Sequence, residues 1–184
     1  MRSLAVYCGS SSGARPAYAR AARELGAGMA ARGIELVYGG GNVGLMGVVA
    51  DAVLAGGGQV YGVIPRLLLE RELAHSGCTQ LRVVETMHER KILMASRADA
   101  FLALPGGFGT FDELCEVVTW NQLSIHDKPV GLLDVEGYWE ALLAFVEQGV
   151  VEGFVPKATR ERLWRDDDQA RLLDRLGAAV ATAP

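Results

Sequence analysis

The chain has 184 residues, of which 50% are hydrophobic and 22% are charged, and its formal net charge is −4. This composition is typical of a globular α/β protein and excludes a fibrous or disordered chain, and the length predicts a single domain over residues 1–184. Both signs of charge are interspersed without a basic stripe, so the sequence does not favour nucleic acid as a partner.

The cysteines predict a reducing, intracellular setting. Cys8, Cys78 and Cys115 are odd in number and form no C-x-x-C pair, so a metal cluster is not expected. The apolar stretch at the amino terminus is too short for a signal peptide. No apolar run approaches the roughly 18 residues of a membrane span. We therefore expect a cytoplasmic protein that does not bind membranes.

Short apolar runs alternate with helical patterns along the chain. Strands are predicted at residues 4–8, 34–38, 59–64, 81–85, 99–104, 129–133 and 162–164. Helices are predicted at residues 17–32, 44–55, 87–97, 110–125 and 138–150, with a last helix that ends at Leu176 and is capped by Asp166 or Asp167. A short helix is also compatible with residues 66–73. This alternation predicts a single-domain, Rossmann-like three-layer α/β/α fold with a mostly parallel sheet.

Three glycine-rich loops follow predicted strands, at residues 9–13, 39–44 and 106–109. Ligands of such sheets bind beyond the carboxyl ends of the strands, near a switch in strand order. We therefore expect the three loops to converge on one site. The candidates for a phosphate or nucleotide loop in the first two are Gly9, Ser10, Gly39, Gly40, Gly41 and Gly44.

The second loop, Gly39–Gly44, matches the G-x-G-x-x-G pattern of dinucleotide-binding folds. Those folds place an acidic residue at the end of the next strand, where this chain has Val63-Ile64-Pro65. The loop also follows the second strand rather than the first. A nucleotide loop of another kind is therefore favoured over a dinucleotide site, and Leu45 after Gly44 excludes a Walker A loop, which requires lysine there.

The third loop opens the stretch Pro105–Glu113, PGGFGTFDE, which carries the strongest functional signal. Its glycines let backbone N–H groups approach a ligand, and the following helix directs the positive end of its dipole at the same point, which favours a phosphate. Glu113 would place a carboxylate beside that phosphate. Thr110 and Glu113 also have the spacing of a capping box, so a structural role for the pair is the competing interpretation.

Arg90 and Lys91 lie near the start of a predicted helix, where cations oppose the helix dipole. This unfavourable position suggests an anionic partner, while a solvated surface pair would have the same spacing. The histidines, His75, His88 and His126, share no metal-ligand spacing, so no metal is expected.

Taken together, these motifs resemble the LOG (Lonely Guy) family of cytokinin riboside 5′-monophosphate phosphoribohydrolases. The resemblance runs over residues 4–155 and includes the signatures P-G-G-x-G-T-x-x-E and M-H-x-R-K. The segments that carry it are Val6–Ser11, Tyr38–Gly47, Met87–Lys91, Pro105–Glu113, Trp120–Leu123 and Lys128–Leu133.

The resemblance implies hydrolysis of the N-glycosidic bond of an N6-modified adenosine 5′-monophosphate, with AMP as a further candidate, to free base and ribose 5-phosphate. It also implies a homodimer, no cofactor, and Arg90 and Glu113 as the catalytic pair. The implied substrate contacts are Glu72, Arg90, Lys91, Gly107, Phe108, Gly109, Thr110, Phe111, Asp112, Glu113 and Thr119. Independently, cleavage of an N-glycosidic bond builds positive charge on the ribose, which a fixed carboxylate such as Glu113 can stabilise.

Two other functions are considered. A non-catalytic nucleotide or molybdenum-cofactor carrier protein of similar fold would bind a phosphorylated ligand without turnover, and would not need Arg90 together with Glu113. Some relatives are labelled lysine decarboxylases, a chemistry that requires a pyridoxal cofactor on a lysine. Lys91, Lys128 and Lys157 stand in no motif that supports it.

Overall fold

The computed structural model describes residues 1–69 and 73–182. Its strands are β1 (Ser3–Tyr7), β2 (Glu35–Tyr38), β3 (Val60–Pro65), β4 (Gln80–Val84), β5 (Ala100–Ala103), β6 (Val130–Leu133) and β7 (Leu163–Asp166). Its helices are α1 (Pro16–Ala31), α2 (Gly44–Ala55), α3 (Met87–Arg97), α4 (Phe108–Gln122), α5 (Glu140–Val151), α6 (Lys157–Arg162) and α7 (Gln169–Thr182). A short 3₁₀ turn, Arg66–Leu68, follows β3.

The strands form one sheet in the order β4-β3-β2-β1-β5-β6-β7. Every strand pair in the described part of the chain is parallel, so the predicted α/β class and Rossmann-like fold are confirmed. The chain builds one half of the sheet outward from β1 to β4 and then returns to β5 on the other side of β1. This return is the switch in strand order, and it brings the loops after β1 and β5 side by side.

Helices cover both faces of the sheet, because alternate side chains of each strand point to opposite faces. Leu4 and Val6 of β1 belong to a core with α1, α2 and α7, whereas Ala5 and Tyr7 belong to a core with α3, α4 and α5. All five residues of β1 are buried, as expected for a central parallel strand. The loops at its carboxyl end therefore stand on a rigid base.

Several boundaries differ from the predicted ones. Helix α4 begins at Phe108 rather than Thr110, and α7 extends beyond Leu176 to Thr182. The cap of α7 is Asp168, whose Oδ1 accepts the Ala170 and Arg171 N–H groups at 2.8 and 3.0 Å. The predicted caps were wrong because β7 continues through Asp166. Helix α6 was missed because its six residues, KATRER, contain no repeating apolar position.

Within the described residues, no helix has both the length and the apolar character needed to cross a bilayer.

Candidate active site

The three glycine-rich loops meet at the carboxyl edge of the sheet, as predicted. The Gly9 N–H donates to the Pro105 carbonyl at 3.1 Å, which joins the loop after β1 to the loop after β5. The Gly9 carbonyl accepts the Leu45 N–H at 3.0 Å, which joins the same loop to the start of α2. Backbone hydrogen bonds therefore join the loops to one another at the edge of the sheet where the strand order switches.

A cavity of about 240 Å³ opens between these loops and the first turns of α3 and α4. Arg90 of α3 and Glu113 of α4 bring opposite charges to its lining. The remaining lining residues are uncharged. They are the glycines, the hydroxyl-bearing Ser and Thr, and five apolar residues: Gly9, Gly107, Gly109, Ser10, Thr110, Cys8, Met46, Leu68, Met87 and Phe108. The cavity thus combines two charged side chains, a glycine loop and an apolar wall.

Arg90 is buried, with 4% of its surface exposed. Its Nη2 donates to the Gly39 carbonyl at 3.1 Å, and its Nη1 lies 3.8 Å from the Met87 sulfur. A Cβ at position 39 would stand 1.8 Å from Nη2, so only glycine leaves room for the guanidinium. The second glycine loop therefore holds Arg90 in place.

The other glycines of that loop also have contacts within the protein. Gly44 has φ +60°, and a Cβ there would lie 2.3 Å from the Ser10 carbonyl carbon. The Gly40 carbonyl accepts the His75 N–H at 2.9 Å, and Gly41 pairs with Ala74 in an isolated antiparallel bridge. The glycines of the second loop therefore serve packing, and their role as phosphate ligands stays a prediction.

Glu113 lies in the second turn of α4, and the capping-box interpretation of Thr110 and Glu113 is wrong. The N-cap of α4 is Gly107, so Thr110 is already inside the helix, where it is 3% exposed and packs against Gly106. A T-x-x-E cap is found instead at Thr86 and Glu89 of α3, although the Glu89 side chain reaches the residue before the N-cap rather than the N-cap itself. There Thr86 Oγ1 accepts the Glu89 N–H at 3.1 Å, and Glu89 Oε2 accepts the Glu85 N–H at 2.9 Å.

Tyr7 stands beside the acidic side of α4 at the end of β1. Burial of the ring, and then the negative charges of Glu113 and Glu116, hold the pKa of the Tyr7 phenol well above its ordinary value. Its ring stacks on Phe101, with 6.0 Å between the centroids. Tyr7 therefore stays neutral, and its ring belongs to the buried core between the sheet and α4.

Four of the other predicted contacts, Lys91, Phe111, Asp112 and Thr119, do not line the cavity. Lys91 Nζ lies 3.2 Å from Asp112 and 3.1 Å from Glu116, which ties α3 to α4. Burial lowers the pKa of Lys91, but its hydrogen bonds to Glu116 and Asp112 outweigh this and leave it raised. Phe111 packs edge-on against Trp139, and Thr119 donates to the Cys115 carbonyl at 2.7 Å.

The remaining predicted contacts fall into two groups. Gly107, Phe108, Gly109 and Thr110 line the cavity with Arg90 and Glu113. Glu72 lies outside the described residues. Substrate binding by any of these positions stays a prediction.

The apolar lining residues Cys8, Met46, Leu68 and Met87 were not predicted as part of the site. Met46 lies on the buried face of α2, where a methionine in a core has the same sequence pattern as one in a cavity wall. Met87, immediately before the predicted H-x-R-K positions, was the one available signal.

A second cavity of about 230 Å³ lies against the same loops. Gly9, Ser10 and Gly107 line both cavities, whereas Tyr18 and Tyr138 line only the second. In the part of the chain that the structure describes, no three His, Cys, Asp or Glu side chains come together in a group that could hold a metal ion.

Comparison with known proteins gives a family match and close relatives. A family model described as "Possible lysine decarboxylase" matches residues 46–176. A rice protein, "Probable cytokinin riboside 5'-monophosphate phosphoribohydrolase LOGL9" of Oryza sativa subsp. japonica, is 52% identical over 175 residues, covering 95% of this chain and 77% of the rice protein. The Arabidopsis thaliana "Cytokinin riboside 5'-monophosphate phosphoribohydrolase LOG3" is 52% identical over 160 residues, covering 87% and 74%.

Among solved structures, the molybdenum cofactor carrier protein of Chlamydomonas reinhardtii superposes with a TM-score of 0.76. The match covers 98% of this chain and 99% of the carrier, at 20% sequence identity. At this identity the likeness shows a shared fold.

The two adjacent glycines of the third loop should respond differently to alanine. A Cβ at Gly106 would lie 2.0 Å from Thr110 Oγ1 and 2.8 Å from the Gly9 nitrogen, whereas one at Gly107 meets no atom within 4 Å. We expect Gly106→Ala to lower the free energy of unfolding by roughly 1–3 kcal/mol through overpacking. Gly107→Ala should change it by less than about 1 kcal/mol, because φ at Gly107 is −98°. Urea unfolding measures both, and equal losses would contradict this packing.

Proposed function

This chain belongs to the LOG family of cytokinin riboside 5′-monophosphate phosphoribohydrolases, and we propose on that basis that it hydrolyses N6-modified adenosine 5′-monophosphates. The products are the free base and ribose 5-phosphate, and AMP is a slower substrate. One observation carries this proposal: Arg90 and Glu113 reach the same cavity from two different helices, beside the glycine loop Gly107–Thr110.

The reaction places specific demands on the site. The bond between C1′ of the ribose and the purine nitrogen breaks with its electron pair going to the base, and positive charge builds on the ribose. The oxygen of water then bonds to C1′, and the proton that the water loses ends on the departing base. A carboxylate can stabilise that charge and orient the water. Glu113 is the carboxylate in the described lining of the cavity, so we assign it both tasks.

Arg90 has a different role in this scheme. A guanidinium stays protonated in proteins, so it cannot act as a base. Arg90 is held by the Gly39 carbonyl and supplies a fixed positive charge inside the cavity. We assign it the orientation of the anionic substrate, while exposed backbone N–H groups at the start of α4 bind the 5′-phosphate. Binding of the remote phosphate then aligns C1′ with Glu113.

The apolar wall suits the base. Met46, Leu68, Met87 and Phe108 are the apolar side chains that line the cavity together with the charged groups. Phe108 is 91% exposed, which is unusual for so large an apolar side chain, and a bound ligand would cover it. An apolar N6 substituent on adenine would gain about 25 cal/mol for each Å² that this wall removes from water.

The label of the family model does not describe the chemistry of this cavity. A pyridoxal enzyme needs a lysine in its site, and none of the three lysines lines the cavity. Lys91 is ion-paired between α3 and α4, Lys128 Nζ donates to the Ala95 carbonyl at 2.7 Å, and the Lys157 side chain is 80% exposed.

We also propose that the chain forms a homodimer and acts in the cytoplasm. Cys8, Cys78 and Cys115 form no disulfide with one another, which suits a reducing compartment. Large apolar side chains are exposed around the carboxyl ends of α4 and α5, namely Leu123, Ile125, Phe145, Val151 and Phe154. Such exposure favours an interface. Light scattering of the purified chain should give twice the monomer mass, and a monomer at micromolar concentration would contradict the proposal.

A panel of nucleoside 5′-monophosphates tests the function directly. We expect isopentenyl-AMP to yield free base and ribose 5-phosphate, and AMP to react more slowly because it lacks the apolar substituent. Chromatography of the free base measures both rates. If the wild-type chain bound these nucleotides tightly but released no base from any of them, a carrier function would replace the hydrolase.

Glu113→Gln separates the chemistry of the carboxylate from its place in the helix. Because Glu113 is not part of the helix cap, the amide should preserve the fold, while kcat falls by at least about 100-fold. The matched control is Glu24→Gln, an exposed carboxylate on helix α1 that lies outside the cavity lining, which should retain kcat. Steady-state kinetics and thermal unfolding of both variants check this. Equal kcat values for Glu113→Gln and wild type would remove Glu113 from the reaction.

A further inference from the structure

The proposed phosphate loop has a neighbour that the family motifs do not include. Tyr138 precedes α5, and its hydroxyl donates a hydrogen bond to the Gly106 carbonyl. The ring is half-buried and lines the second cavity, which neither Arg90 nor Glu113 lines. The Tyr138 side chain therefore contacts the loop through the Gly106 carbonyl.

The direction of this hydrogen bond has a consequence for the next N–H group. The Gly106 carbonyl and the Gly107 N–H belong to one planar peptide unit, and in a trans peptide they point in opposite directions. The described chain contains no cis peptide bond. With the carbonyl directed at Tyr138, the Gly107 N–H is directed away from Tyr138. Tyr138 lines the second cavity and not the first, whereas Gly107 lines both, so an N–H directed away from Tyr138 is also directed away from the side of the second cavity that Tyr138 forms.

Other contacts hold the residues on either side of this peptide: the Gly107 carbonyl, at the N-cap of α4, accepts the Phe111 N–H at 3.0 Å. Packing between Gly106 and Thr110 locates the Gly106 Cα, but it does not set the rotation of the peptide plane that follows. Gly107 is exposed, and a Cβ there would meet no atom within 4 Å. Since glycine tolerates many backbone conformations, the plane between Gly106 and Gly107 could rotate without a steric penalty from a side chain. A hydrogen bond to the carbonyl restrains it.

Tyr138 is itself firmly held. Its ring packs edge-on against Trp139 and Tyr18, with centroid distances of 5.2 and 5.9 Å. Trp139 is fully buried, its backbone N–H donates to Asp134 Oδ1 at 2.9 Å, and its Nε1 donates to the Leu133 carbonyl at 3.2 Å. The Tyr138 ring is thus held in place by Trp139, which is itself hydrogen-bonded to the carboxyl end of β6.

We propose that Tyr138 is a positioning residue whose hydroxyl turns the peptide between Gly106 and Gly107 so that the Gly107 N–H points at the phosphate of the substrate. This inference rests on the proposed function for the identity of the ligand. Tyr138 touches neither the substrate nor the reacting atoms. It acts through the glycine loop, so its loss should weaken phosphate binding more than the chemical step.

Tyr138→Phe is the direct test, because phenylalanine keeps the ring packing and removes only the hydroxyl. We expect KM for the nucleoside monophosphate and the inhibition constant of ribose 5-phosphate each to rise about tenfold, the effect of one lost hydrogen bond. The value of kcat should fall by less than a factor of about three, and the melting temperature should change little. Tyr18→Phe is the matched control, since the Tyr18 ring lines the same cavity but its hydroxyl bonds to no loop atom among the described residues. Unchanged KM and inhibition constants in Tyr138→Phe would overturn the proposal.

A second measurement does not depend on turnover. In wild-type protein labelled with ¹⁵N, inorganic phosphate or ribose 5-phosphate should shift the amide resonance of Gly107, and Tyr138→Phe should need about tenfold more of either ligand for the same shift. Absence of a Gly107 shift in the wild type would overturn the inference even if the enzyme is active. Absence of free base, with the Gly107 shift retained, would instead overturn the proposed hydrolysis and leave Tyr138 as the positioning residue of a phosphate-binding loop.

Discussion

The cavity lined by Arg90 and Glu113 depends on the close approach of two backbone loops, which follow β1 and β5 where the strand order switches. The Gly9 N–H reaches the Pro105 carbonyl, and a Cβ at Gly106 would stand only 2.8 Å from the Gly9 nitrogen. Both strands are buried, so the loops cannot separate without disturbing the sheet. From this junction α1 leaves toward one face of the sheet and α4 toward the other. The floor of the cavity is therefore rigid backbone, which suits a site that must hold a phosphate in one place.

The charges of the site are organised around that floor. Burying a cation is costly unless polar groups replace its water, and the Gly39 carbonyl does so for part of the Arg90 guanidinium. The adjacent Lys91 turns to α4 and joins Asp112 and Glu116, which keeps the two helices that carry Arg90 and Glu113 in fixed relation. The two neighbouring cations of one motif thus have different contacts. Arg90 lines the cavity, whereas Lys91 joins α3 to α4.

The sequence contains the pattern T-x-x-E twice, and the structure uses the two copies differently. Thr86 and Glu89 cap α3, whereas Thr110 lies inside α4 and Glu113 faces the cavity. Local spacing is the same, so it could not separate a cap from a carboxylate that lines the cavity. The difference arises from the preceding residues: Gly107 takes the N-cap position, and Thr110 then packs against Gly106. The function of the second glycine loop was similarly ambiguous in the sequence. In the structure, the absence of a side chain at Gly39 makes room for the Arg90 guanidinium.

The sequence by itself determined the α/β class, the alternation of strands and helices, and the pairing of Arg90 and Glu113 as the functional candidates. These features follow from hydrophobic periodicity and from motifs whose residues are close along the chain. Only the tertiary structure decided which loop glycines admit a protein side chain, which apolar residues form the cavity wall, and that Tyr138 supports the Gly106 carbonyl. These contacts join residues that are far apart in the chain, such as Arg90 and Gly39, which are separated by 51 positions. They exist only after the sheet has assembled, because the strand order, and not the chain order, places those residues side by side.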